Sequence, residues 1–307
     1  MTPEITIAIL TYRRRAHLER ALASARAQRG VDAEIMVVDN AAEPELKRWL
    51  AETAPEVRYI AMAENGGCEG RNAALALACA DLVITIDDDV ELDGPNEARR
   101  VLDLFEHDSS LACANFLVIG ADRKVLQREW CHPRPIWEAR SGFETYFILE
   151  GACAMRRQAV FSAGGYYGPF FLGHEGIDLA YRLIDRGFRV IHAPQVTAVH
   201  HAAAENRPSW RLYYYYTRNG IWVSARNYSS WRALYAAAEN TAKMAFFAAR
   251  AGQLRAWARG LKEGVLGLRG LPRSPIGAET LARLREIRSH RVSLFGRIQR
   301  HLKEQVM

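Results

Sequence analysis

Residues Leu82-Val-Ile-Thr-Ile86 run straight into three adjacent carboxylates, Asp87, Asp88 and Asp89. The run lacks polar alternation and is rich in β-branched residues, the pattern of a parallel strand buried on both faces. Such a strand needs helices above and below it, which confines the chain to a layered α/β architecture. Three acids at its tip repel one another unless water, a cation or a hydrogen-bonding ligand takes up the charge. The plain reading is a solvated turn. The sharper one is a site for Mg²⁺ or Mn²⁺ carrying a phosphate, since both ions favour carboxylate and phosphate oxygens.

The stretches before this run decide between the two. Ile5 to Leu10, Glu34 to Val38 and Val57 to Ala61 read as strands. Helical patterns follow them, with Leu18, Leu22 and Ala25 on one face of the first and Leu46, Trp49 and Leu50 on the second. A Gly-rich turn, Asn65 to Asn72, then opens an Ala/Leu helix. This alternation predicts a doubly wound α/β domain with a mostly parallel sheet, whose ligands bind beyond the carboxyl ends of the strands. The unusual residues fall at those ends: Thr11, Tyr12, Arg13 and Arg14, then Asp39, then Asn65, Gly67 and Arg71, then Asp87 to Asp89. Their convergence on one sheet edge favours a nucleotide site. The glycine turn is neither a P-loop nor GxGxxG.

The second half reads less cleanly. A helix from Pro95 to Phe105 and a strand from Leu111 to Ile119 precede a paired strand, Val125 to Trp130, and an aromatic loop to Trp137. Gly142 to Arg157 reads as one strand-like stretch, with Glu150, Gly151 and Ala152 as a charged step and small residues that allow close approach. His174, Glu175 and Asp178 start an amphipathic helix capped by Gly187, where the acids suit both the helix dipole and a general base. A strand from Phe188 to His192 follows, then His200 and His201. Helices are expected at Trp210–Asn227 and Trp231–Gly252, with Ser209 and Ser230 as N-caps, at Gly252–Leu271, and from Ala278 to Lys303. The second has an apolar stripe through Trp231, Leu234, Tyr235 and Phe246, and the last carries a row of arginines. Core packing, a dimer interface or an anionic membrane surface would each account for them.

The net charge of +6 over 307 residues fits anionic partners such as nucleotides or acidic lipids. No apolar run approaches the ~20 residues that span a bilayer. The first residues lead directly into a strand pattern, so no signal peptide is expected. Five cysteines without a CxxC pair fit a reducing, cytoplasmic setting.

Taken in order, these motifs resemble those of the family 2 glycosyltransferases. The resemblance rests on Ile7 to Arg14, Val37 to Asn40, Glu64 to Asn72, Thr85 to Asp89, and Glu150 to Arg157. It covers about residues 4–205, and the stretch around Arg218-Asn219 is loosely similar to bacterial rhamnosyltransferase-type members. It implies a GT-A fold, with a catalytic domain over 1–205 (nucleotide half 1–92, acceptor half 93–205) and a C-terminal helical appendage over 206–307.

The resemblance also implies roles. A nucleotide-diphosphate sugar donor would be held by Thr11, Tyr12, Arg13, Asp39, Asn65, Gly67, Arg71, Asp87 and Asp88. Asp89 and His200 would hold Mg²⁺ or Mn²⁺. Glu150, Gly151, Ala152 and His174 would face the acceptor, which is a glycan, a lipid-linked or a small molecule. The reaction would be inverting, and nucleic acid is not expected. The family's usual Glu-Asp-x-Asp-Leu is here Glu175-Gly176-Ile177-Asp178-Leu179, so its base position holds glycine. Glu175 or Asp178 then serves, with Glu175 preferred. The rivals are a sugar-1-phosphate nucleotidyltransferase, and a nucleotide-sugar-binding protein impaired in catalysis and docked on the inner face of the membrane.

Overall fold

The computed structural model describes residues 2–125, 138–201 and 209–289. The expected strand Val125 to Trp130, the aromatic loop after it and the helix beyond Ser289 lie wholly or largely outside those residues.

Four strands, β1 (Ile5–Thr11), β2 (Ala33–Asp39), β3 (Arg58–Ala61) and β4 (Leu82–Asp87), form a parallel block in the order β3-β2-β1-β4. Helices α1 (Arg15–Arg26), α2 (Pro44–Thr53) and α3 (Glu69–Leu77) connect them. The uninterrupted apolar runs are explained by what each side chain meets. Ile5, Ile7 and Ile9 of β1 enter one core with Leu18, Leu22, Leu46 and Leu50, while Ala8 and Leu10 enter the opposite core with Leu75. Burying each large aliphatic side chain stabilises the fold by roughly 1.5–3 kcal/mol, so both faces of the sheet select apolar residues.

The sheet continues as β8-β6-β9-β5. Here β5 is Val90–Leu92, β6 is Leu111–Gly120, β8 is Ala152–Arg156 and β9 is Arg189–His200. Strand β8 is antiparallel to both β4 and β6, and β5 is antiparallel to β9. The expected single stretch from Gly142 to Arg157 is instead a two-residue β7 (Phe143–Glu144), a loop carrying Glu150 and Gly151, and then β8. Strand β9 does not stop at His192. A register shift, Phe116 pairing Ala193 and Leu117 pairing Thr197, loops out Pro194, whose missing N–H a regular ladder would expose. Pairing then resumes and sets His200 opposite Val90.

Helices α4 (Glu97–Glu106), α5 (Arg157–Ser162) and α6 (Glu175–Asp185) complete the layers. Helices α7 (Trp210–Asn227), α8 (Ser230–Arg250), α9 (Leu254–Leu266) and α10 (Ala278–Ser289) follow, with α7 packed on α6, α8 and α9. Neither Ser209 nor Ser230 caps by its side chain; α8 starts after Ser229 instead. The apolar stripe of α8 is not core. Trp231, Leu234, Tyr235 and Phe246 are 68%, 73%, 68% and 59% exposed. No helix among the described residues is long and apolar enough to cross a membrane.

Candidate active site

The three carboxylates at the end of β4 have three sets of partners. Because Leu10 lies in register with Asp87, Thr11 stands beside Asp88, and its Oγ1 donates to Asp88 Oδ2 at 2.8 Å. Arg14 pairs with Asp88 Oδ1 at 2.5 Å and donates to Asp89 Oδ2 at 2.8 Å. Burial pushes the Asp88 carboxyl up to about 7, against the pull of Arg14 and Thr11. Asp88 is thus locked into the β1 turn and presents almost no surface. Arg14, which the sequence places on this edge without a role, holds two of the three carboxylates. Its cue was its place one residue beyond Tyr12-Arg13, on the edge that carries the acids.

Asp89 Oδ2 lies 3.8 Å from His200 Nε2, with both side chains buried. The carboxylate suits Mn²⁺ and Mg²⁺, whereas the imidazole is a ligand more typical of Zn²⁺ or Fe²⁺. Two ligands at ~2.1 Å from one cation stand at most ~4.2 Å apart, so this separation permits a shared ion once Arg14 moves off Asp89 Oδ2. No set of three or more His, Cys, Asp or Glu able to hold a metal is assembled among the described residues. Such an ion would take its remaining ligands from donor phosphates and water, the usual Mg²⁺ arrangement.

Asp87 is bound across the sheet edge by Arg71. Arg71, in the first turn of α3, donates to Asp87 Oδ1 at 2.6 Å and to the Glu150 carbonyl oxygen at 3.0 Å. Burial pulls the Arg71 pKa down, but Asp87 and Glu150 outweigh it and hold the group charged. Gly151 lies against Asp87, and a Cβ there would stand 2.6 Å from Asp87 Oδ2, so no side chain fits. Gly67 is left-handed at φ +56°, and a Cβ would collide with the Phe171 carbonyl oxygen. Asn65 Oδ1 accepts the Gly67 N–H at 3.2 Å, an Asx turn that shapes this loop. Tyr12 is 36% exposed with the Arg13 guanidinium 5.3 Å over its ring, an open aromatic face beside the acids.

Asp39 and Ala152 are not presented as expected. Asp39 is fully buried and accepts from Ala41 N, Glu43 N and Tyr59 Oη at 2.7–2.8 Å, so it orders the turn after β2. Ala152 is fully buried in β8, paired with Ile86, and offers no surface to an acceptor.

Glu150 and Glu175 meet at the start of α6. Glu150 Oε1 accepts the Gly176 N–H at 2.7 Å. Glu175 is 4% exposed, and its Oε2 is buried without a hydrogen-bond partner. Burial, then the Glu175 charge, push the Glu150 carboxyl well up, with Arg71 opposing. His174 sits just before α6 at φ +72°, edge-on to Tyr216 at 4.9 Å. Burial lowers its pKa to about 4, so it is neutral at pH 7. With Phe171 also left-handed at φ +63°, two strained residues flank the turn into α6. Arg218 and Asn219 of α7 hold that turn by donating to the carbonyls of Pro169, Phe170, Leu172 and Gly173.

Asp178, the other expected base, is not brought to the site. It is fully buried and bound by Arg182 at 2.7 Å, Arg226 at 2.9 Å and Asn227 at 2.6 Å. It clamps α6 to α7, and no acceptor can reach it.

A mixed sheet with a parallel block of four strands and three carboxylates at the tip of β4 is the layout of the GT-A fold. The family model for glycosyl transferase family 2 matches residues 6–165, and the chain belongs to that family. It is 24% identical over 271 residues to the N-acetylglucosaminyl-diphospho-decaprenol L-rhamnosyltransferase of Mycobacterium tuberculosis, covering 76% of this chain and 88% of that one. It is 31% identical over 130 residues to the succinoglycan biosynthesis protein ExoO of Rhizobium meliloti, which is 41% of this chain but only 36% of that protein. Among solved structures it resembles the mannosyltransferase PcManGT from Pyrobaculum calidifontis, in complex with GDP-Man and Mn²⁺ (TM-score 0.57, 18% identity, 94% of this chain and 84% of that one). It also resembles GalNAc-T7 with UDP, GalNAc and Mn²⁺ (TM-score 0.59, 14% identity), covering 75% of this chain but 49% of that one. These two likenesses establish the shared fold.

Proposed function

We propose that the protein is an inverting, metal-dependent glycosyltransferase that moves a sugar from a nucleotide diphosphate to an acceptor hydroxyl. The observation that carries this reading is the seam in which Arg71 links Asp87 to the Glu150 backbone, beside the Asp89–His200 pair. Tyr12 and Arg13 border the nucleotide base, Asp87 takes the ribose, and Asp89 with His200 holds the cation. When bound, that cation supplies neutralisation of the charge that develops on the leaving diphosphate. A carboxylate of the Glu150–Glu175 pair accepts the proton of the attacking hydroxyl, which approaches opposite the diphosphate. The mycobacterial relative's name makes a polyprenyl-diphosphate-linked acceptor the first to try.

The test is a panel of UDP-, dTDP- and GDP-sugars with Mn²⁺, read by binding and by nucleoside diphosphate release. Pyrophosphate release from a nucleoside triphosphate would instead indicate a nucleotidyltransferase. Binding without turnover, with any acceptor or water, would indicate an impaired binding protein.

The exposed α8 stripe favours one addition: cytoplasmic docking on an anionic lipid surface. Trp231 and Tyr235 in the first turns of α8 suit a lipid interface, and Arg232, Arg250, Arg255 and Arg259 on α8 and α9 complement acidic headgroups. Sedimentation with phosphatidylglycerol vesicles tests this. A dimer in solution with no vesicle binding would assign the stripe to a second copy of the chain.

A further inference from the structure

Position 176 is where the family resemblance expects the base, and here it cannot carry a side chain. A Cβ at Gly176 would collide with Glu150 Oε1 and lie 2.6 Å from the Ile148 carbonyl oxygen. The Glu150 carboxylate fills that volume, reaching it from the loop before β8, where it caps the Gly176 N–H at 2.7 Å. Its backbone is pinned: Arg71 Nε and Thr85 Oγ1 donate to the Glu150 carbonyl oxygen at 3.0 and 2.8 Å. The same Arg71 grips Asp87, so the carboxylate is held in fixed relation to the donor end of the site.

We propose that Glu150 is the catalytic base, having exchanged places with the acid missing at Gly176. This rests on the glycosyltransferase reading and replaces Glu175 as its proton acceptor. The step balances. The acceptor oxygen bonds to the anomeric carbon and its proton passes to Glu150. The bond from that carbon to the diphosphate oxygen breaks, and its electron pair leaves with the nucleoside diphosphate. Glu150 then returns the proton to water.

Glu175 has a different part. As a residue it is buried, whereas Glu150 is only partly buried. The groups that face Glu150 are Glu175 from α6, Arg71 from α3 and Cys153 from β8. Burial first, and then Glu175 when it is ionised, strengthen the hold of Glu150 on a proton, which is what a base needs in the transition state.

The experiment compares wild type, Glu150→Gln and Glu175→Gln. Calorimetry measures donor affinity with Mn²⁺, and nucleoside diphosphate release measures turnover with water in the acceptor's place. Gln keeps the Gly176 cap, so Glu150→Gln retains donor affinity within about threefold and loses turnover by about 10²–10⁴-fold. The assignment is overturned if Glu150→Gln turns over within about fivefold of wild type, or if the large loss appears in Glu175→Gln alone. A wild type that neither binds nor turns over any donor overturns the glycosyltransferase reading, and the base assignment falls with it.

Discussion

Asp178 was a reasonable base from sequence, and its surroundings make it a measurable structural element instead. It accepts five hydrogen bonds, from Arg182 Nε and Nη2, Arg226 Nε and Nη2, and Asn227 Nδ2. The side chains of Arg182 and Arg226 are only 7% and 9% exposed. Asp178→Ala leaves two buried guanidinium groups side by side with no counter-charge. Breaking a buried pair by removing one partner costs about 3–5 kcal/mol. With an unfolding entropy of about 2.1 cal/mol/K per residue, a 307-residue chain loses about 5–8 °C in Tm. Circular dichroism melts read this directly, and donor hydrolysis is measured well below the melting range. The expected variant is less stable but retains turnover in its folded fraction. A variant that melts with wild type yet has lost turnover would refute the structural role and return Asp178 to the chemistry.

Other expectations are as specific. Gly67→Ala places a Cβ on the Phe171 carbonyl oxygen at a left-handed position. It should lower stability by about 1–3 kcal/mol, and an unchanged urea midpoint would contradict the packing described. His174 has a folded pKa near 4 against about 6.5 when unfolded. Between those values the unfolded state binds the extra proton, so the residue contributes a loss of stability as pH falls from about 6.5 to about 4, of up to about 3 kcal/mol. His174→Asn, which tolerates the left-handed backbone, should flatten that slope in urea titrations at pH 7 and 4.5; parallel slopes would count against it. The triple variant Trp231→Ser, Leu234→Ser, Tyr235→Ser should lose vesicle association while hydrolysing donor as wild type does. Retained vesicle binding would remove α8 as the docking face.

Much of the parallel block was legible because its strands are buried on both faces, and continuous apolar runs such as Ile5 to Leu10 advertise that. The acidic tip was legible for the opposite reason: adjacent carboxylates at a strand end have few ordinary uses. What stayed hidden depended on partners distant in the chain. Pro194 reads as a strand terminator, and only the offset against β6 lets β9 continue to His200. Gly176 reads as a missing base, and only the approach of Glu150, 26 residues earlier, shows what fills its place. The α8 stripe has the right period for a helix face, but periodicity does not say what covers it. One local signal was overlooked: Asp178 and Arg182 are four apart on one helix face, the spacing of an intrahelical ion pair.

The most direct measurement is a calorimetric titration of UDP-, dTDP- and GDP-sugars into wild type and Asp89→Ala, each with Mn²⁺ and with EDTA. The expected result is one donor that binds wild type with Mn²⁺ and weakens at least about tenfold, or about 1.4 kcal/mol, with EDTA. Asp89→Ala should bind that donor weakly and without regard to the metal. Full affinity in EDTA, or an Asp89→Ala variant that binds as wild type does, would contradict a metal-held donor at the end of β4.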